Sequence, residues 1–263
     1  MNMSVKEAAK EWHLLCDHIA SMKKVAVSFS GGVDSTVVLA AAVKMLPNDH
    51  IAVFADIPTL SERQRNVALE IAKELKSNVT VAGLCWECMP GVRENTSERC
   101  YHCKKAIYSA VRSIATDNRI SICVDGENSS DNADERPGRR AAAELGIVSP
   151  LKDLGLGRNA VKKMFAGLRL NINVQKETCM ATRYSEGVPL DDDKIRFIAE
   201  CEDMIRSISG VRQIRMRMRN GHAGLVTSPD EIALLRASER ELSSALFSKG
   251  IPEIRIDAKG YRE

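Results

Sequence analysis

A chain of 263 residues with 44% apolar and 28% charged side chains has an ordinary globular composition, neither disordered nor collagenous, with length for one large domain and a smaller one. No apolar run approaches the roughly 18 to 20 residues that span a bilayer, and Glu7, Glu11 and Asp17 interrupt the stretch where a signal peptide is apolar, which points to the cytoplasm. A net charge of +3 is too small to argue by itself for a polyanionic partner such as tRNA, and eight cysteines in a reducing compartment read as metal ligands, redox groups or core residues rather than disulfides.

In chain order, Val5, Ala8, Ala9, Trp12, Leu15, Cys16 and Ile19 recur at helical spacing and predict an amphipathic helix over 5–22. Lys24 to Phe29 is an apolar, β-branched run ending in Ser-Gly-Gly, and Ser35 to Leu46 is helix-forming up to Pro47. Strand 51–55, helix 61–76, strand 78–83, an irregular cysteine-bearing stretch, helix 104–116 and strand 120–124 continue the alternation. Strands interleaved with helices in this way predict an α/β fold, a doubly wound parallel sheet that binds ligands at the carboxyl ends of its strands. The glycine turn, Asp56, the cysteine stretch and Asp125-Gly126 all fall on that rim. Beyond Pro150 the pattern changes to a short helix 158–168, a loop around Cys179, helix 193–209, strands 211–218 and 222–227, helix 229–247 and strand 253–257. That succession predicts a smaller C-terminal α+β domain, with 1–180 forming the first domain and 181–263 the second.

The turn after the first strand reads Ser28-Phe29-Ser30-Gly31-Gly32-Val33-Asp34-Ser35. Glycines there admit close approach of the backbone to phosphate, a helix N-terminus follows, and Ser30, Ser35 and Thr36 add hydroxyls, which together make an anion site. No Gly-Lys-Ser/Thr occurs, which disfavours transfer of a γ-phosphate. The segment resembles the PP-loop of the adenine-nucleotide α-hydrolase superfamily, whose members attack the α-phosphate of ATP with a substrate oxygen and release pyrophosphate. The resemblance implies ATP on Ser28, Ser30, Gly31, Gly32, Val33, Asp34 and Ser35, with Asp56, Asp125 and Gly126 on neighbouring strand ends. Asp34 is then the residue that holds Mg²⁺ or orients pyrophosphate.

Two Cys-x-x-Cys pairs, Cys85/Cys88 and Cys100/Cys103, leave open a four-thiolate zinc site, although the gap between them is short for one. Cys16, Cys123 and Cys201 fall on apolar sides of predicted elements and read as core. Arg99-Cys100-Tyr101-His102-Cys103-Lys104, Asp125-Gly126, Asp134-Glu135-Arg136-Pro137-Gly138, Cys179-Met180-Ala181-Thr182-Arg183, Arg215-Met216-Arg217 and Asp257 follow in an order and spacing that resemble the LarE family of sulfur transferases. That family takes part in building the nickel-pincer cofactor of lactate racemase.

The resemblance implies adenylation of the carboxylate of a pyridinium mononucleotide, then sulfur delivery from a site centred on Cys179. In one branch Cys179 would be sacrificed. In the other, whose pattern this chain has, Cys100, Cys103 and Cys179 hold a four-iron, four-sulfur cluster. By position, the resemblance also implies substrate phosphate on Arg215 and Arg217, a second metal patch at Glu202 and Asp257, sulfide or a persulfide carrier as donor, and self-association. Cys85 and Cys88 stand outside it and could pack, bind zinc or relay sulfur. Three rivals are a tRNA-thiolating enzyme, disfavoured by the mild charge and the lack of an added RNA-binding module, an amide-forming synthetase, and a nucleotide- and metal-binding sensor.

Overall fold

Residues 3–130, 137–172, 177–219 and 221–261 are described by the computed structural model; Asp134, Glu135 and Arg136 of the motif series lie outside them. The chain divides into two compact units, residues 1–91 with 98–176, and residues 92–97 with 177–263. No helix among the described residues is long and apolar enough to cross a membrane.

In the first unit, α1 (Met3–Ser21) leads into β1 (Val25–Phe29), α2 (Val33–Met45), β2 (His50–Asp56), α3 (Glu62–Glu74) and β3 (Val79–Gly83). The turn-long α4 (Pro90–Arg93), whose last two residues belong to the second unit, is followed by α5 (Arg99–Asp117), β4 (Ile122–Val124), α6 (Pro137–Glu144), α7 (Pro150–Asp153) and α8 (Arg158–Gly167). The strands form one parallel sheet in the order β3-β2-β1-β4. Period-two alternation gives the central strands β1 and β2 two buried faces, whereas the edge strand β3 is largely exposed. Val25, Val27 and Phe29 of β1, with Ala52 and Phe54 of β2, pack against Leu15, Val37, Val38, Ile71 and Val161 from α1, α2, α3 and α8. Ala26 and Val53 point the other way, against Val111 and Ala115 of α5. The sheet is therefore doubly wound, the α/β fold the alternation predicts.

Local chemistry sets the helix ends. Ser61 caps α3 in a capping box, its hydroxyl accepting from the Gln64 amide while the Gln64 side chain accepts from the Ser61 amide. Helix α5 begins at Arg99, ahead of the expected 104, so Cys100 and Cys103 stand on its first turn rather than in a loop.

In the second unit, α9 (Asp192–Ser209) precedes β5 (Ile214–Arg219), β6 (His222–Thr227), α10 (Ile232–Ala237), α11 (Glu239–Ser248) and β7 (Ile254–Ile256). β6 is central, antiparallel to β5 and parallel to β7. Helix α9 is capped by the Asp191 carboxylate and ends at Gly210, whose φ of +72° is the left-handed region glycine tolerates best. The continuous helix expected over 229–247 is instead a 3-10 turn, Pro229–Glu231, followed by α10 and α11 with a break at Ser238. There the Ser238 amide reaches the Leu234 and Leu235 carbonyls, and Leu235, Leu242 and Leu246 all enter the core.

Candidate functional site

The strand order reverses direction between β1 and β4, so the crevice at their carboxyl ends is the topological switch point of the sheet. Two loops meet there. After β1, Gly31 takes a φ of +74°, and a Cβ on it would lie 2.6 Å from that of Ala68 on α3. After β4, Gly126 presses on the start of α2: its Cβ would fall 2.5 Å from the Ser35 nitrogen. Glycine is demanded at both positions by close backbone approach, and Gly31 by its φ as well.

Between them the turn is held by its own hydroxyls. Ser35 Oγ lies 3.1 Å from Ser30 Oγ, accepts from the Ser30 amide at 3.2 Å and donates to the Gly32 carbonyl at 3.1 Å. Thr36 Oγ1 donates to the same carbonyl at 2.8 Å. The N-terminus of α2 therefore opens towards the crevice with Asp34 in its first turn, where Asn128 donates to Asp34 Oδ1 at 3.3 Å. Ser28 lies within β1, and Gly32 and Val33 lead into α2.

Asp56 and Asp125 end β2 and β4 on the same rim, and both carboxylates have protein partners. Arg65 donates twice to Asp56 Oδ1, at 2.9 and 2.6 Å. Asp125 is buried; Oδ1 accepts from Ser149 at 2.8 Å and from the Glu127 amide at 3.0 Å, while Oδ2 accepts from Tyr108 at 2.5 Å. Asp125 thereby shapes the loop that carries Gly126 and Asn128. Burial, then the Asp125 charge, pushes the Tyr108 phenol far above its ordinary pKa, so it stays protonated and donating. A Tyr108→Phe chain leaves Asp125 Oδ2 short of its donor and is expected to lose about 1 to 3 kcal/mol of stability in urea unfolding, with weaker ATP binding by calorimetry. Unchanged stability and ATP affinity would refute this role. Sequence reasoning missed Tyr108, Asn128 and Ser149; the one local signal was Lys104, a helical turn before Tyr108, whose amine donates to the phenol at 3.1 Å.

On the first turn of α5, Tyr101 sits between Cys100 and Cys103. It donates to Glu144 of α6 and lies under the Arg140 guanidinium, 3.7 Å from ring centroid to Cζ, while Arg140 also donates to Glu98. These contacts hold the turn, leaving Cys100 exposed and Cys103 half-buried. Their i, i+3 spacing puts both on one helix face, and two thiolates suit a soft metal or an iron–sulfur centre. Among the described residues, which include Cys85, Cys88, Cys100 and Cys103, no three His, Cys, Asp or Glu side chains come together to hold a metal, so the two pairs do not converge on a four-thiolate site. Cys16, Cys123 and Cys201 are buried, and burial pushes each thiol up, that of Cys201 to about 11.

Cys179 belongs to the second unit, exposed at the start of a 3-10 turn, Met180–Arg183, that is anchored by buried Met180 and Ala181. Its carbonyl accepts from the Thr182 amide and hydroxyl. Arg183 is almost wholly buried; its Nη1 donates to Thr178 Oγ1 at 2.7 Å and Thr182 Oγ1 at 3.2 Å, on either side of Cys179. Arg183 Nε meets Glu202 Oε1 at 2.6 Å, and the same oxygen accepts from the Met216 amide at 2.8 Å. Glu202 is thus a buried partner of Arg183, while Asp257 closes a turn by accepting from the Lys259 amide.

Arg215, Arg217 and Arg219 alternate along β5, an edge strand, while Arg212 pairs with Glu231 and Asp230. Arg215 is buried with its guanidinium over the Tyr261 ring. Burial, then the charge of Arg183, lowers the pKa of Arg215. Arg183, Arg206, Arg212 and Arg215, with Glu177, Gln213 and Ile214, surround a small cavity of about 10 Å³, room for about one water. Guanidinium groups suit an oxyanion such as phosphate, which would have to sit at the mouth of this cluster rather than inside it. Arg217 does not line it, and Arg206 is a member that strand periodicity could not reveal.

Residues 15–98, which contain the glycine loop, match the NAD synthase family. The chain is 29% identical over 246 residues to the pyridinium-3,5-bisthiocarboxylic acid mononucleotide synthase of Lactiplantibacillus plantarum, covering 93% of this chain and 89% of that one. It is 27% identical over 241 residues to an uncharacterised protein of Methanocaldococcus jannaschii, covering 91% of each. An uncharacterised protein of Synechocystis is 27% identical over 250 residues, covering 92% of this chain and 91% of that one. The resemblance to LarE-type proteins drawn from the motifs stands, as does the reading of an enzyme, since the first of these relatives is a synthase.

Proposed function

We propose that this chain is an ATP-dependent sulfur transferase that adenylates the carboxylate of a pyridinium-type mononucleotide and then replaces AMP by sulfur, giving a thiocarboxylate. The observation that carries this reading is the anion-binding turn Ser30–Ser35, closed by Gly126 at the switch point of the parallel sheet. A carboxylate oxygen attacks the α-phosphorus, the bond to the bridging oxygen breaks, and pyrophosphate leaves. Backbone N–H groups and the N-terminus of α2 stabilise the charge that develops, and Asp34 holds Mg²⁺. A sulfur nucleophile then attacks the acyl carbon and AMP departs with the C–O electron pair.

Cys179 brings the sulfur, on a turn that Arg183 braces from both sides. Cys100, Cys103 and Cys179 would hold a four-iron cluster, whose fourth iron, without a protein ligand, can carry an exchangeable sulfide. What supports the cluster is the chemistry of the donors, since thiolates suit iron–sulfur centres and Cys100 and Cys103 share one helix face. Arg215 binds the substrate phosphate at the arginine cluster, with Arg217 further along the same strand. A sulfide or persulfide carrier as donor, self-association and a cytoplasmic location complete the reading.

In a Cys179→Ala chain supplied with ATP and the pyridinium mononucleotide, pyrophosphate release should persist within about threefold while thiocarboxylate falls by at least ~100-fold. Undiminished thiolation would overturn the role of Cys179, and native protein that releases no pyrophosphate would overturn the reaction. Iron and sulfide analysis after anaerobic purification, repeated on Cys100→Ala and Cys103→Ala, tests the cluster without relying on turnover.

A further inference from the structure

Cys85 and Cys88 have no part in the reaction proposed above. They flank a single 3-10 turn, Trp86–Cys88, that follows the carboxyl end of β3. Buried Trp86 and Met89 pin the turn, the Cys88 amide donates to the Cys85 carbonyl at 3.1 Å, and both thiols are left exposed. Their sulfurs are 2.8 Å apart, in direct contact.

The two cysteines are not equivalent. Cys88, but not Cys85, lines an open groove of about 420 Å³ whose walls include Leu84 and Met89, and His102, Lys105 and Ala106 of α5. Gly91 leaves room for the His102 ring, since a Cβ there would fall 2.2 Å from the imidazole. The hydrogen bonds of Cys88 from the Cys85 side chain and backbone lower its pKa, while the same contact raises that of Cys85. Cys88 is therefore the better nucleophile and faces the space a reactant can enter. Helix α5, which forms part of the wall, carries Cys100 and Cys103 on its first turn.

We propose that Cys88 accepts sulfane sulfur from a small-molecule persulfide and that Cys85 resolves it, releasing hydrogen sulfide into this groove. The Cys88 thiolate attacks the terminal sulfur of R–S–SH, the S–S bond breaks, R–S⁻ leaves, and Cys88 becomes a persulfide. Cys85 then attacks the inner, Cys88 sulfur; HS⁻ departs and a Cys85–Cys88 disulfide forms. In sum, two protein thiols and one persulfide give one disulfide, one thiol RSH and one hydrogen sulfide. A low-molecular-weight dithiol restores the pair by thiol–disulfide exchange. The pair would thus supply the sulfide consumed by the proposed transferase, and it depends on that reading for its purpose only.

The test uses the full chain without ATP or acceptor, given glutathione persulfide under anaerobic conditions. Native protein should release about one equivalent of sulfide per chain, with the peptides of Cys85 and Cys88 joined by a disulfide. Cys85→Ala should release at least ~10-fold less and carry one extra sulfur on Cys88, and Cys88→Ala should do neither. Sulfide release by Cys88→Ala at the native rate, or an extra sulfur in Cys85→Ala found only on other cysteines, overturns the proposal, provided thermal unfolding of both variants matches the native protein. Cys85→Ser and Cys88→Ser serve as replacements if the alanine variants do not fold. Failure of this assay while ATP-dependent pyrophosphate release persists removes the relay alone; loss of pyrophosphate release with the assay intact removes the transferase reading and leaves the relay.

Discussion

A Gly126→Ala chain is expected to release pyrophosphate from ATP at least ~100-fold more slowly than the native protein while remaining folded. The reason is steric and admits little relief. The added methyl carbon would stand 2.5 Å from the Ser35 nitrogen, 2.8 Å from its Cα and 2.9 Å from the Asp34 carbonyl carbon. All three are backbone atoms at the start of α2, so no side chain can swing aside. Either the loop after β4 or the N-terminus of α2 must retreat, by about the ~1 Å that is known to cost two orders of magnitude in positioned reactions. Both are parts of the proposed phosphate cradle. The stability cost should be smaller, about 1 to 3 kcal/mol, as for other overpacked sites. Gly167→Ala, where nothing lies within 4 Å of the added carbon, is the control. Single-turnover pyrophosphate release decides the matter, and a rate within about threefold of native would show that the crevice does not hold the phosphates.

Glu202→Ala should destabilise the second unit by about 3 to 5 kcal/mol, because it leaves the Arg183 charge buried without its carboxylate. The loss is compounded by geometry. Glu202 Oε1 also accepts from the Met216 amide in β5, so the helix, the strand and the Cys179 turn lose a shared partner together. Arg183→Met combined with Glu202→Leu should recover most of that stability, since an apolar pair of similar volume removes both charges. It should not recover sulfur transfer, because Arg183 also ties down Thr178 and Thr182 beside Cys179. Trp12 and Trp86, the two tryptophans, belong to the first unit, so tryptophan emission is no direct probe of the second. Hydrogen exchange at the paired amides of β5 and β6 is the appropriate readout, and protection in Glu202→Ala within about 1 kcal/mol of native would refute the ion-pair account.

What was legible in the sequence was whatever depends on neighbours along the chain. The β1–turn–α2 unit could be read because an apolar strand, two glycines and a helix-forming run are contiguous, and the parallel sheet because its strands alternate with periodic helices. Helix α6 was not read; its first residues adjoin the undescribed 131–136, and its apolar signal is only Ala141, Ala142 and Ala143. The break at Ser238 was also hidden, since Leu234, Leu235, Leu242 and Leu246 continue across it at near-helical spacing. Arg183 was noticed as the last residue of a motif, but its carboxylate partner is on α9, and only the fold pairs them. The burial of Glu202 against Arg183 was hidden for the same reason. The Asp125 network draws on Tyr108 and Ser149 from separate elements, a convergence no local pattern encodes.

The strand order has a further consequence, for the time course of folding. β1 pairs with β2, Val25 opposite His50, across one helical connection, whereas β4 reaches β1 with Ile122 opposite Val25. Closing the longer loop has the larger entropic cost and belongs to the slow, non-local part of assembly. On the ribosome, strand, turn and helix can form early, yet Gly126 cannot close on the start of α2 until it has emerged and β4 has docked. Nucleotide grip therefore arrives late in the life of the nascent chain, and a truncated product keeps the signature turn without a completed crevice.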